Sequence, residues 1–143
     1  NVRTVYLVYG APLSGKRTWI SEVQEPGDLI VDMDSIWQCV SGCGRYVKPG
    51  RLNAVAFAVH RGLMECVRTR TGRWKRAYVI GGYPLSSERE RLCRSLGARE
   101  IFIDTPEAVC RERLESCGDG RDLEEWSGYI AEWFRRYLPP PKA

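Results

Sequence analysis

The stretch Gly10-Ala11-Pro12-Leu13-Ser14-Gly15-Lys16-Arg17-Thr18 constrains the fold of this chain more than any other feature. It follows the apolar run Val5-Tyr6-Leu7-Val8-Tyr9 and precedes a segment that can be helical. Two glycines five apart, with a lysine after the second, describe a strand–loop–helix cradle for phosphate. The glycines let successive main-chain N–H groups turn inward on an anion, and the helix N-terminus adds positive potential. Lys16 then reaches the β- and γ-phosphates as a point charge. All nine residues of the stretch are expected at the nucleotide.

The residue after such a lysine is usually a serine or threonine whose hydroxyl binds Mg²⁺. Here it is Arg17, with Thr18 one place later. Water-mediated Mg²⁺ is therefore expected in place of direct ligation, in keeping with that ion's reluctance to dehydrate.

Short apolar runs alternate with helical spacings along the rest of the chain. Residues 5–9, 29–31, 77–80 and 100–103 are rich in β-branched and aromatic side chains and are continuously apolar, the pattern of buried parallel strands. Helices are predicted over 16–23, 35–41, 52–70, 86–96, 106–116 and 122–137. The third carries apolar residues at Leu52, Val55, Ala56, Val59, Leu63 and Val67. The fourth opens on Ser86-Ser87-Glu88 and stops before Gly97, and the fifth follows Thr105-Pro106, a cap and a first-turn proline. The last places Trp126, Tyr129, Ile130, Trp133, Phe134 and Tyr137 at helical spacing, read as core packing, before Pro139-Pro140-Pro141 ends the fold. This order predicts one α/β domain over residues 1–143, three layers around a small, mainly parallel sheet of four to five strands, with ligands at the strands' C-terminal ends.

The 143 residues, 43% hydrophobic and 28% charged, suit one folded domain. No segment approaches the ~20 apolar residues of a membrane span, and no charged-then-apolar leader opens the chain. It begins at Asn1 without methionine, consistent with removal of a short leader or tag, and the expected compartment is the cytoplasm. The six cysteines match no common zinc spacing, and His60 is the only histidine. Cys66, Cys93 and Cys110 read as small hydrophobes, leaving Cys39 and Cys43 as the pair to test for a metal or redox role. Net charge is +4, and the stretch 61–76 concentrates Arg61, Arg68, Arg70, Arg73, Lys75 and Arg76 around Trp74, opposed by Glu65. Such a cluster suits a phosphate backbone with a base stacked on the indole, or a solvated helix end.

Asp32 and Asp34 stand at the C-terminal end of the second strand, where a site must lie. One can hold Mg²⁺ through water, here assigned to Asp32, and the other can accept a proton from an attacking hydroxyl. Asp34 also precedes a helix, which makes it a candidate N-cap.

Together these motifs resemble the P-loop kinase superfamily, most closely the polynucleotide-kinase-like and phage-type small P-loop ATPases and more distantly adenylate kinases. The resemblance rests on residues 10–18, on Asp32-Met33-Asp34, on Gly81-Gly82-Tyr83-Pro84 with Glu88-Arg89, and on Ile103-Asp104-Thr105-Pro106-Glu107 leading to Arg111 and Arg113. It implies a P-loop NTPase fold, ATP or GTP with Mg²⁺, Asp34 as base for a 5′-hydroxyl acceptor, and Arg113 or Arg121 as clamps on the transferring phosphate. The expected activity is kinase or ATPase, with a nucleic-acid 5′ end, met through 61–76, as favoured acceptor. A small hydroxylated metabolite or nucleoside comes next. Adenylate-type kinases carry an aspartate where this chain has Gly81 and an arginine where it has Leu85. With Arg17, those departures imply the alternative of a degenerate P-loop module that binds nucleotide, transfers no phosphate and acts through a partner.

Overall fold

The computed structural model describes residues 3–141. Within them the chain runs β1 (Thr4–Tyr9), α1 (Lys16–Val23), β2 (Leu29–Val31), α2 (Met33–Ser41), a 3-10 turn at Gly50–Leu52, α3 (Asn53–Thr69), β3 (Arg76–Gly81), α4 (Ser86–Leu96), β4 (Ala98–Phe102), α5 (Glu107–Ser116) and α6 (Leu123–Arg136). The strands form one sheet in the order β2-β3-β1-β4 with every pair parallel. Parallel neighbours need crossover helices, and those helices bury both faces of the sheet.

Alternation along β1 and β3 sorts the core. Val5 and Leu7, with Ala77 and Val79, meet Leu63, Val67, Leu92 and Leu96 of α3 and α4 on one face. Val8, with Tyr78 and Ile80, meets Trp19, Ile20 and Val23 of α1 on the other. A third cluster, Tyr9, Ala11, Cys110, Leu114, Ile130 and Trp133, fastens α5 and α6 beside the C-terminal end of β1. The expected three layers are thus present around four strands.

Several boundaries differ from expectation for physical reasons. α2 begins at Met33 because Asp32, not Asp34, is its N-cap: the extended Asp32 backbone lets Oδ1 accept from the Asp34 N–H at 3.2 Å. β4 begins at Ala98, two residues before the apolar run, because Gly97 closes α4 in the left-handed region and Ala98 drops directly into register with Val5. Thr105 caps nothing; its hydroxyl donates to the Ser14 carbonyl, and Pro106 precedes α5. On α3, Val55 and Val59 face outward while Ala56 and Val67 are fully buried. Of the cysteines, Cys110 is buried, Cys66 and Cys93 are half-buried, and Cys39 and Cys43 are exposed free thiols.

In the stretch 61–76 the structure encloses Trp74 and gives Arg68, Arg70 and Arg76 internal partners. Trp74 is only 9% exposed, packed in the α3–α4 core with its Nε1 donating to the Thr71 carbonyl, so its ring has no free face for a base. Arg70 is spent on the Val67 and Leu96 carbonyls, Arg68 on Glu65, and Arg76 on Glu25 and Asp28. Residues 70–76 also lie at the N-terminal end of β3. The strand's length, roughly 16 Å, separates them from the end where the phosphate loop stands.

A fully buried arginine ties the later elements together. Arg89 on α4 pairs with Glu100 of β4 at 3.0 Å and donates to the Tyr83 and Leu138 carbonyls at 2.9 and 2.6 Å. Its guanidinium lies 4.4 Å from the Tyr9 ring centre. Leu138 N–H in turn donates to the Pro84 carbonyl, so the segment after α6 is held at both of its main-chain groups. Removing Arg89 leaves the Tyr83 and Leu138 carbonyls and the part-buried Glu100 carboxylate without their partner. Arg89→Ala is expected to lower the unfolding free energy by about 3–5 kcal/mol in urea titration; a loss under about 1 kcal/mol, the size of a surface pair, would show the clamp to be dispensable.

Candidate functional site

The loop after β1 is shaped by close approach and by left-handed backbone. A Cβ on Gly10 would meet the Ile103 carbonyl oxygen and Ser14 Oγ at 2.8 Å each, so glycine is required there. Leu13 and Gly15 have φ of 62° and 98°, which turns the main chain around the cradle before α1 starts at Lys16. Ala11 and Ser14 are buried, while Pro12, Leu13, Gly15, Arg17 and Thr18 line the opening. Two distant residues brace the loop: Thr105 Oγ1 donates to the Ser14 carbonyl at 2.7 Å, and Arg113 Nη1 to the Leu13 carbonyl at 3.1 Å.

Lys16 closes this ring upon itself. Its ammonium donates to the Gly10 and Ala11 carbonyls at 2.8 and 2.7 Å and approaches Ser14 Oγ at 3.4 Å. Burial disfavours the charged form and lowers its pKa to about 8, against the weaker pull of Asp34 and Asp32.

Beside the loop, Arg17 reaches across to the carboxylate of Asp32, which also accepts from Arg45 Nη2 at 3.0 Å and Ser35 Oγ at 2.8 Å. Burial alone would raise the Asp32 pKa, but the Ser35 and Arg45 hydrogen bonds and the two guanidinium charges hold it below the usual carboxylate value. Asp34, on the first turn of α2, faces Lys48 at 3.4 Å and Arg45 at 3.9 Å and keeps partial access to solvent.

The cavity above the loop measures about 660 Å³. Lys16, Arg17, Arg45, Arg113 and Arg121 face it against Glu22, Asp32 and Asp34. A second cavity of about 350 Å³ adjoins it and shares Pro12, Lys16, Asp32, Asp34, Ile80 and Trp126. Its farther wall carries Tyr129, Glu132, Trp133 and Arg136 of α6 and Gly81-Gly82 after β3. A side chain at 81 would collide with the Tyr83 ring, 2.2 Å from where a Cβ would stand, so an acidic residue has no room there.

Arg121 sits between two aromatic rings, 4.2 Å from the centre of Tyr46 and 4.7 Å from that of Trp126, and pairs with Asp119 at 2.7 Å. The structure therefore brings Lys16, Asp34, Arg113 and Arg121 to one cavity. Arg111 pairs with Glu107 and Ser127 instead. Sequence reasoning missed Arg45, Tyr46 and Lys48, which lie in a loop without periodicity, and Arg136. It also assigned Trp126 and Tyr129 wholly to the core. Trp126 is half-buried and lines both cavities, and Tyr129 is 49% exposed. Cation–aromatic interleaving in Gly44-Arg45-Tyr46-Val47-Lys48 was the one available signal.

P-loop proteins hold Mg²⁺ through the hydroxyl after the lysine and an acidic residue at a strand end. The donors here do not fit that ion. A guanidinium stands in place of the hydroxyl, and Asp32, expected to hold Mg²⁺ through water, is buried and committed to two arginines, Ser35 and the start of α2. Among the described residues, no cluster of three or more His, Cys, Asp or Glu could hold a metal, Cys39 and Cys43 included. Nor, among them, is any helix long and apolar enough to cross a membrane.

No protein-family model matches the chain. No curated protein sequence matches it significantly. Among solved structures it is similar to shikimate kinase from Bacteroides thetaiotaomicron, with a TM-score of 0.56 and 17% identity over 92% of this chain and 77% of that one. It is likewise similar to shikimate kinase from Acinetobacter baumannii in complex with shikimate, with a TM-score of 0.55 and 13% identity over 94% and 75% of the two chains. At these identities the likeness shows the fold alone, a P-loop NTPase fold. It lends nothing to the narrower resemblance to polynucleotide kinases.

The lowered Lys16 pKa makes anion binding depend on pH. ATP affinity at constant ionic strength is expected to be flat below about pH 8 and to weaken toward tenfold per unit above it, as the free site loses the proton that the bound site needs. Calorimetric titration between about pH 7 and 10 checks this. Lys16→Met should bind weakly throughout and show no break.

Proposed function

We propose that this protein is an ATP-dependent phosphotransferase acting on a small hydroxylated acceptor. The observation that carries the reading is the junction of two cavities at Lys16 and Asp34. One is walled by the phosphate loop and is rich in cations; the other is smaller, with aromatic, acidic and basic groups of α6 on its wall. In this reading the loop N–H groups and Lys16 take the nucleotide's phosphates. Asp34 orients and deprotonates a hydroxyl presented from the second cavity, which is general-base work. Arg113, and Arg121 on release from Asp119, supply fixed donors to the charge that spreads over the transferring phosphoryl oxygens.

A cavity of about 350 Å³ suits a small molecule. Arg136 on its wall offers a cation to an acidic group of the acceptor. One structural neighbour was solved with shikimate, a hydroxylated carboxylic acid, which supports that class. A nucleic-acid 5′ end has no comparable support: residues 70–76 of the basic stretch meant to receive it lie at the other end of β3, and Arg68 and Arg76 are held in ion pairs. The second reading, a module that binds nucleotide without transferring phosphate, is favoured by the guanidinium at position 17 and keeps the same phosphate site.

Labelled γ-phosphate followed over a panel of small hydroxylated carboxylic acids, nucleosides and a 5′-hydroxyl oligonucleotide decides between them. Transfer to a small acid is expected. Asp34→Asn should slow it by about 10²–10⁴-fold, the usual worth of a general base, with ATP affinity unchanged, whereas Lys16→Ala should impair both. ATP binding with label moving to no acceptor would favour the binding module and end the kinase reading.

A further inference from the structure

We infer that this site binds nucleotide phosphates without a divalent cation, the Arg17 guanidinium taking the place at which a P-loop would hold its metal. This rests on the nucleotide-binding reading above and adds to it the identity of the counter-charge.

Two positions normally bracket the ion: a hydroxyl on the residue after the lysine and a carboxylate at a strand's C-terminal end. In this chain the first is Arg17, and its Nη1 lies directly against the second, Asp32 Oδ2. Arg17 Nη1 also contacts Ser35 Oγ at 3.0 Å, the hydroxyl that donates to the same carboxylate oxygen. Arg45 completes the arrangement from the far side, with Nη2 at 3.0 Å from Asp32 Oδ2 and Nη1 at 3.2 Å from Gln38 Oε1. The carboxylate is therefore fully partnered by organic cations, and a divalent ion beside it would meet two guanidinium charges at close range.

The wider cavity agrees. Five cations, Lys16, Arg17, Arg45, Arg113 and Arg121, face it against the three carboxylates Glu22, Asp32 and Asp34. Guanidinium groups make bidentate, charge-assisted bonds to phosphate oxygens, so they can neutralise and orient the chain of phosphates together. Arg17 is half-exposed and mounted on the first turn of α1, and it can turn from Asp32 toward a phosphate while Arg45 and Ser35 keep the carboxylate satisfied.

The test is titration calorimetry of the full chain with ATP, once in excess EDTA and once in excess Mg²⁺. The expected Kd in EDTA is tighter than, or within about threefold of, the Kd in Mg²⁺. Weakening beyond that on chelation would overturn the metal-free site while leaving the nucleotide site standing. Absence of ATP binding under both conditions would overturn both. Arg17→Thr restores the usual hydroxyl. It should fold with an unchanged circular-dichroism melt and lose about tenfold in affinity on chelation, and Arg17→Lys should remain indifferent to EDTA. If Arg17→Thr is equally indifferent, the assignment to Arg17 fails.

Discussion

The arrangement at the C-terminal end of the sheet depends on one main-chain turn, the loop from Gly10 to Gly15. Its shape is a steric necessity before it is a binding site. Gly10 passes within contact of the Ile103 carbonyl and Ser14, and Leu13 accepts a left-handed conformation that costs an ordinary residue about 1–2 kcal/mol. That strain persists because the surroundings hold it. Thr105 pins the Ser14 carbonyl from the β4–α5 connection, Arg113 pins Leu13 from α5, and the Lys16 ammonium bridges two carbonyls from inside. The loop is thereby braced from the distant β4–α5 connection and from α5 as well as from within.

The same loop explains the distribution of charge around it. Lys16 is surrounded by carbonyl oxygens, not carboxylates, so burial wins and its proton is held less firmly than in a free lysine. Asp32 shows the opposite balance: it is nearly as enclosed, but two guanidinium groups and a hydroxyl face it, and it stays ionised. Two groups a short way apart are thus driven in opposite senses by their neighbours. The lysine rests on the loop's own carbonyl oxygens, and the aspartate organises the start of α2 and the arginines beside it.

How much of this was legible in the residues varied with the kind of signal. β2 and α1 lie at the predicted limits, since a short apolar run after Gly27 and a helix opening behind Gly15-Lys16 are local patterns. α4 was equally plain between Ser86 and Gly97. The start of α2 was misplaced because Asp32 and Asp34 are both good caps, and only the extended backbone at Asp32 distinguishes them. Trp74 was misjudged because its basic neighbours in sequence are not its neighbours in space; Val67 and Leu96 are. Arg45 and Tyr46 carried only a weak signal because a loop has no period, and their meaning comes from Asp32, 13 residues earlier, and from Arg121, far along the chain.

The second cavity shows how a part of the chain remote in sequence completes the site. α6 crosses the C-terminal end of β1 on Ile130 and Trp133, and Trp133 Nε1 fixes it to the Gly82 carbonyl at 2.9 Å. The segment after it is then clipped by Pro84 and by the buried Arg89. These contacts set the position of Trp126, Tyr129, Glu132 and Arg136, which successive turns of one helix bring to the same wall. The loop Gly81-Gly82-Tyr83-Pro84 makes this docking feasible. Glycine at 81 admits the Tyr83 ring, and the main chain at 82 becomes both hydrogen-bond partner to the Trp133 indole and cavity floor. The missing carboxylate at position 81 is thus a consequence of packing: the space it would need is already taken by the ring that holds α6 in place.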